Sequence, residues 1–109
     1  DDQPVTLQTK SGPIVSVPYT VETNDITMMA LQHHTAEEFL KRGKDQFDQL
    51  YKESADITRV MAISLHTYIS GAPHRIKYVE ALLDHIRSHE DAVIWTGGEI
   101  LDWYKQQTG

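Results

Sequence analysis

Two amphipathic stripes and one run that is apolar on both faces organise the chain. Phe39, Leu40, Gly43, Phe47, Leu50 and Tyr51 fall on one face at a helical period, and Lys41, Arg42, Lys44, Asp45 and Asp48 take the opposite, solvated face. Thr35-Ala36-Glu37-Glu38 opens this helix as a capping box, with Thr35 at the N-cap and Glu38 at N3. A second stripe runs through Ile76, Val79, Leu82, Leu83 and Ile86, behind Pro73, which suits a first helical turn. Thr96-Gly97-Gly98-Glu99 is another capping box, opening a last helix with Ile100, Leu101, Trp103 and Tyr104.

Between the helices lie strand signals. Ile14-Val15-Ser16-Val17 follows the turn signal Ser11-Gly12-Pro13 and is stopped by Pro18. A short alternation precedes it over residues 4–8. Arg59-Val60-Met61-Ala62-Ile63-Ser64-Leu65-His66 is an apolar run of strand length, and Ala92-Val93-Ile94-Trp95 is a shorter one. Residues 19–30 carry no helical period but include the polar cluster Glu22-Thr23-Asn24-Asp25. The order strand–helix–strand–helix–strand–helix predicts an α/β fold with parallel strands and right-handed crossovers. A closed barrel of such units takes about 250 residues, against 109 here. A parallel sheet this narrow exposes its edges, so the expectation is part of a larger fold.

The most informative position is His66, at the end of the doubly apolar run. In folds with parallel strands, side chains at the carboxyl ends of strands face the binding crevice. A histidine there can do acid–base chemistry near neutral pH. The plainer alternative is a histidine that closes a strand and bonds a loop.

Composition narrows the classes. Hydrophobic residues make up 39% and charged residues 24%, an ordinary globular balance. A net charge of −6 offers no electrostatic footprint for nucleic acid and disfavours anionic membranes. No stretch approaches the roughly 20 apolar residues of a spanning helix. Cysteine is absent, which removes disulfides, thiolate metal sites and a cysteine nucleophile. That fits a cytoplasmic protein, the expected location, without demanding one.

Three blocks in this order, IVSVPYTVETND, RVMAISLHTYISGAPHRIKYVEALLDHI and VIWTGGEILDWY, carry a family signal. Ser64-Leu65-His66 with Pro73-His74-Arg75 is fairly specific, and Pro18-Tyr19 with Asn24-Asp25 adds weight. The chain resembles the C-terminal half of the polysaccharide deacetylase (NodB-homology) family, nearest the branch that holds the allantoinases and related cyclic amidases. The resemblance implies the C-terminal part of a distorted parallel (β/α) barrel spanning residues 1–109. It implies a hydrolase that cuts a non-peptide C–N bond with metal-activated water. His66 matches the family's general acid, which protonates the leaving amine. Leu65 matches the apolar residue that lines the acyl pocket. Asp25, with Glu22 as a further candidate, matches the acidic motif that orients and charges the histidine. Tyr19 is a weaker candidate for shaping the pocket.

The family holds a divalent metal, often zinc, on an aspartate and two histidines in its N-terminal half, beside an aspartate base. No Asp-Asp pair follows a strand here, and no His-x-x-x-His lies in a loop after one. No metal is therefore expected on this chain alone, and it should be inactive by itself. The expected partners are an N-acetylated carbohydrate or small amide substrate, the remaining N-terminal half or a second chain, and further copies in a homo-oligomer. Thr67 stands where many relatives carry proline, and Asn24-Asp25-Ile26 lacks the aspartate–tryptophan pair of sugar deacetylases. The second departure favours the amidase-like branch. A non-catalytic binding or structural module is the alternative from another class.

The remaining candidates read as structural. His85 and His89, four apart on one helix, suit a metal, but in the last turn they complement the helix dipole, which is the preferred reading. His33-His34 are adjacent and point apart. His74 and Arg75 are within reach of a rim but read as surface or capping residues. Trp95, Trp103 and Met28-Met29 read as packing.

Overall fold

The computed structural model describes residues 2–108. Strands β1 (Val5–Thr9) and β2 (Gly12–Ser16) form an antiparallel hairpin in the register Val5↔Ser16 to Thr9↔Gly12. The hairpin turns on Lys10 and Ser11. Gly12 takes φ +117°, a region that glycine enters without a Cβ penalty. Thr9 braces the turn: its hydroxyl donates to the Gly12 carbonyl at 2.6 Å and accepts from the Ser11 amide. A lone hairpin is marginal in water; here the Thr6 hydroxyl meets the Tyr104 hydroxyl at 3.2 Å.

Helix α1 (Ala36–Glu53) begins as its sequence predicts. The Glu38 amide donates to the Thr35 hydroxyl, and the Glu38 carboxylate accepts from the Thr35 amide at 2.7 Å. Helix α3 (Gly97–Thr108) repeats the device with Thr96 and Glu99. Helix α2 runs Ile76–Arg87, later than Pro73 suggests. Residues 69–75 first wind through turns, with the Ala72 carbonyl accepting from both the Arg75 and Ile76 amides. The stripes of α1 and α2 pack together into a core of Met28, Phe39, Phe47, Leu82 and Ile86. Fully burying a side chain of this size contributes about 1.5–3 kcal/mol.

A short π-helix, Ile26–Leu31, replaces the irregular stretch expected over residues 19–30. Its i→i+5 bonding, seen in the Gln32 amide donating to the Thr27 carbonyl, leaves no 3.6-residue period to detect. It drives Met28 into the core, as its packing assignment anticipates.

The parallel-strand expectation is met only in part. Residues 59–66 and 92–95 are extended but form no ladder, and the regular sheet among the described residues is the antiparallel hairpin. A strand is defined by its neighbours. Among the described residues, segment 59–66 makes one β-bridge, the parallel Asn24↔Ser64, and a backbone bond from the Val60 amide to the Asp2 carbonyl. Val93, Ile94 and Trp95 lie exposed, so Trp95 is not packed as expected, and Trp103 on α3 is half-buried. The described residues make a mixed α/β arrangement and do not close a barrel.

Alternation within residues 59–66 still governs packing. Met61 and Ile63 turn onto the helical core, while Val60 and Ala62 line a recess on the other side. The helix pair closes over Gly43, where an added Cβ would stand 2.6 Å from Leu82 Cδ2. Leu82 is 1% exposed and has little room to give. We expect Gly43→Ala to destabilise the protein by about 1–2 kcal/mol in chemical denaturation. In a Leu82→Ala background the same change should instead stabilise by a few tenths to about 1 kcal/mol, because only the helix-propensity gain remains.

Candidate active site

The site is assembled where two distant segments run side by side. The Asp25 amide donates to the Ser64 carbonyl at 3.1 Å, and the Ser64 amide donates to the Thr23 carbonyl at 3.1 Å. Thr23 is fully buried and pins this pairing, its hydroxyl donating to the Ala62 carbonyl at 2.7 Å. Asn24 tethers the start of the π-helix through its side-chain oxygen, which accepts from the Ile26 amide. This pairing puts Asp25 beside His66.

Asp25 is 0% exposed, and both of its carboxylate oxygens are engaged. Oδ2 accepts from the His66 amide and from the Ser70 hydroxyl, each at 2.7 Å. Oδ1 lies 2.7 Å from His66 Nδ1. Burial by itself would push the Asp25 carboxyl up. The bonds from the His66 amide, the His66 ring and Ser70 outweigh it and hold the group below the ordinary aspartate value. An ionised carboxylate only accepts, so Nδ1 of His66 carries the shared hydrogen. Nε2 is then the nitrogen left to face a ligand. The His66 side chain is 34% exposed, so the ring is held on one side and open on the other.

A tight loop delivers Ser70 to this cluster. The amides of Ile69 and Ser70 both donate to the His66 carbonyl at 3.0 Å. A Cβ on Gly71 would collide with the Thr67 carbonyl, so the curl requires glycine there. Arg75 steadies the loop by donating to the Ile69 carbonyl at 3.4 Å, and His74 lies exposed. Ser70 escaped the sequence reading. The Ser70-Gly71 pair marks a turn but does not say which group the hydroxyl will meet.

The other candidate residues are placed differently. Leu65 is 43% exposed beside His66, free to touch a ligand. Tyr19 is also exposed, its hydroxyl 3.0 Å from the Ser64 hydroxyl. Glu22 does not join the Asp25–His66 pair. Its carboxylate turns back on its own backbone amide, which chiefly holds it below the ordinary glutamate value, and on the Thr20 hydroxyl. Tyr19 and Glu22 line a separate recess of about 210 Å³ with Thr20, Gln46, Val60 and Ala62. That is below the roughly 300–1,000 Å³ of ligand clefts.

The divalent metal implied by the resemblance does not fit at Asp25–His66. Both Asp25 oxygens are occupied by hydrogen-bond donors, which leaves His66 Nε2 as one donor atom. A zinc centre takes three or four protein ligands.

No family model matches the sequence. A Schizosaccharomyces pombe protein that is by name a polysaccharide deacetylase is 33% identical over 89 residues, covering 80% of this chain and 28% of that protein. Two crystal structures superpose on 99% of the chain and 37% of their own length. One is a probable polysaccharide deacetylase from Pseudomonas aeruginosa PAO1, with a TM-score of 0.90 and 29% identity. The other is the PuuE allantoinase, with a TM-score of 0.92 and 27% identity. The chain thus spans about a third of the length of the proteins it matches.

Removing the Asp25 charge should expose its structural share. Asp25→Asn is expected to lower stability at neutral pH by about 1–3 kcal/mol in urea unfolding, through imperfectly matched donors. Because the folded carboxyl lies below its ordinary value, its contribution is complete above that value, about pH 3.9, and is lost as pH falls through the folded value. The gap between wild type and Asp25→Asn should therefore narrow on acidification below pH ~4. A gap that widens there would contradict the hydrogen-bonding scheme.

Proposed function

The chain belongs to the polysaccharide deacetylase family, and from that premise we propose that it supplies the proton-donating side of a hydrolase site for non-peptide C–N bonds. The observation that carries this reading is the 2.7 Å contact between buried Asp25 and His66 Nδ1, with the ring half-open to solvent. Asp25 fixes the tautomer and orientation of the ring. His66 Nε2, protonated, gives its hydrogen to the leaving nitrogen as the C–N bond breaks, so that an amine departs rather than an amide anion. Ser70 and the His66 amide hold Asp25 in place while the ring changes charge. Leu65, next in the chain, offers apolar contact to the acyl side of the substrate.

In this reading residues 1–109 form the C-terminal portion of one domain with a distorted parallel barrel. The similarity of 37% of each matched structure to nearly the whole chain supports it. The remaining portion of the domain, or a second chain, would hold a divalent metal, zinc by expectation, that activates the water. The exposed Val93, Ile94 and Trp95 give such a partner apolar surface to cover, and further copies in a homo-oligomer are part of the same reading.

Two substrate classes remain in the proposal, an N-acetylated carbohydrate and a small cyclic amide. The sequence Asn24-Asp25-Ile26, with isoleucine where sugar deacetylases place tryptophan, favours the small amide.

The test is His66→Ala in the complete protein, assayed on N-acetylated sugar oligomers and on cyclic ureides such as allantoin. We expect kcat to fall about 10²–10⁴-fold with a small change in KM. Undiminished turnover would overturn the assignment. Ser70→Ala should keep most activity but flatten or shift the pH–rate profile, because it loosens Asp25 without removing the acid.

A further inference from the structure

A second group of potential ligands lies away from Asp25 and His66, where the C-terminal half of α1 meets the last turn of α2. Asp48 Oδ1 stands 2.6 Å from His85 Nε2. The His85 and His89 rings lie 4.8 Å apart, His89 standing just past the end of α2. One donor atom from each of Asp48, His85 and His89 falls within 4.8 Å of the other two. The sequence offered only the histidine pair, because Asp48 comes from the other helix, 37 residues away along the chain.

Three features make this more than a chance encounter of surface groups. First, His89 Nδ1 sits 2.7 Å from the His85 carbonyl oxygen. That contact places the hydrogen on Nδ1 and the lone pair on Nε2. Ligating histidines commonly have their second ring nitrogen held in this way. Second, Phe47 packs edge-on against both imidazoles, at 5.7 and 4.9 Å between ring centroids, which restricts their rotation. Third, His85 lies in the last turn of α2 and His89 just past its end, where the helix dipole favours positive charge. An Asp48–His85 ion pair accounts for two of the three residues, whereas His89 Nε2 meets no hydrogen-bond partner among the described residues.

We propose that Asp48, His85 and His89 form a surface site for a divalent borderline cation such as Zn²⁺, which clamps α1 to α2. With metal–ligand bonds of about 2.0–2.2 Å, tetrahedral donors stand about 3.3 Å apart. The ion therefore enters by opening the Asp48–His85 contact slightly and drawing His89 inward. The Asp48 side chain is 53% exposed and can make that adjustment, and water completes the coordination. This site is distinct from the metal that the resemblance places outside the chain.

The test titrates ZnCl₂ into chelator-treated protein by calorimetry, with thermal melts alongside. One saturable equivalent is expected beyond any taken up by the active-site metal of the complete protein, and a melting temperature raised on the order of 5–10 °C at hundredfold excess over Kd. That equivalent should vanish in His85→Gln/His89→Gln, which keeps side-chain bulk against Phe47. It should weaken at least about tenfold in Asp48→Asn, an exposed change that leaves the core untouched. His66→Ala should bind it unchanged. Wild-type protein with no saturable equivalent, or full affinity in the double variant or in Asp48→Asn, overturns the proposal.

Discussion

One buried carboxylate sets the terms for the rest of the site. Asp25 is removed from water, and an ion so placed survives only if its lone pairs are matched by donors. The donors come from a backbone amide, an imidazole and a hydroxyl, all within a five-residue stretch that starts at His66. Meeting that demand fixes three things together: the pairing of residues 23–25 with 62–66, the curl of the loop after His66, and the tautomer of the ring. The orientation of the His66 ring thus follows from satisfying a buried charge.

The helix pair does the supporting work from behind. Met61 and Ile63 lean on the cluster around Phe39, Phe47 and Leu82, which orients the whole extended segment through its alternating side chains. The π-helix serves the same end from the other strand, since Met28 enters that cluster three residues after Asp25. Asp25 and His66 are therefore anchored to one core by neighbouring apolar side chains.

Much of this was legible in the sequence, for a physical reason. The helices around Phe39–Phe47 and Val79–Ile86 follow from local periodicity, and the caps at Thr35 and Thr96 from local hydrogen bonding, so a window of a few residues contains the information. His66 and Asp25 could be named because each sits in a block shared with the deacetylase family. Ser70, Thr23 and Asp48 could not, because each acts on a group about forty residues away. Residues 59–66 and 92–95 form no ladder among the described residues for the converse reason: apolar content predicts burial, but a ladder also needs neighbouring strands. Glu22 shows the limit of motif proximity. It lies three residues from Asp25, yet its carboxylate turns to another recess.

The separation of 41 residues between Asp25 and His66 has a bearing on how the molecule comes together. All of α1 lies inside the loop that their contact closes. Closing a loop of that length is entropically unfavourable until contacts made on the way offset it. Docking of the helix lowers that cost, so the carboxylate is expected to find its donors after the helix has packed. The Asp25–His66 contact is accordingly expected to be a late product of folding, and a chain stalled short of the native state holds both residues without holding their contact.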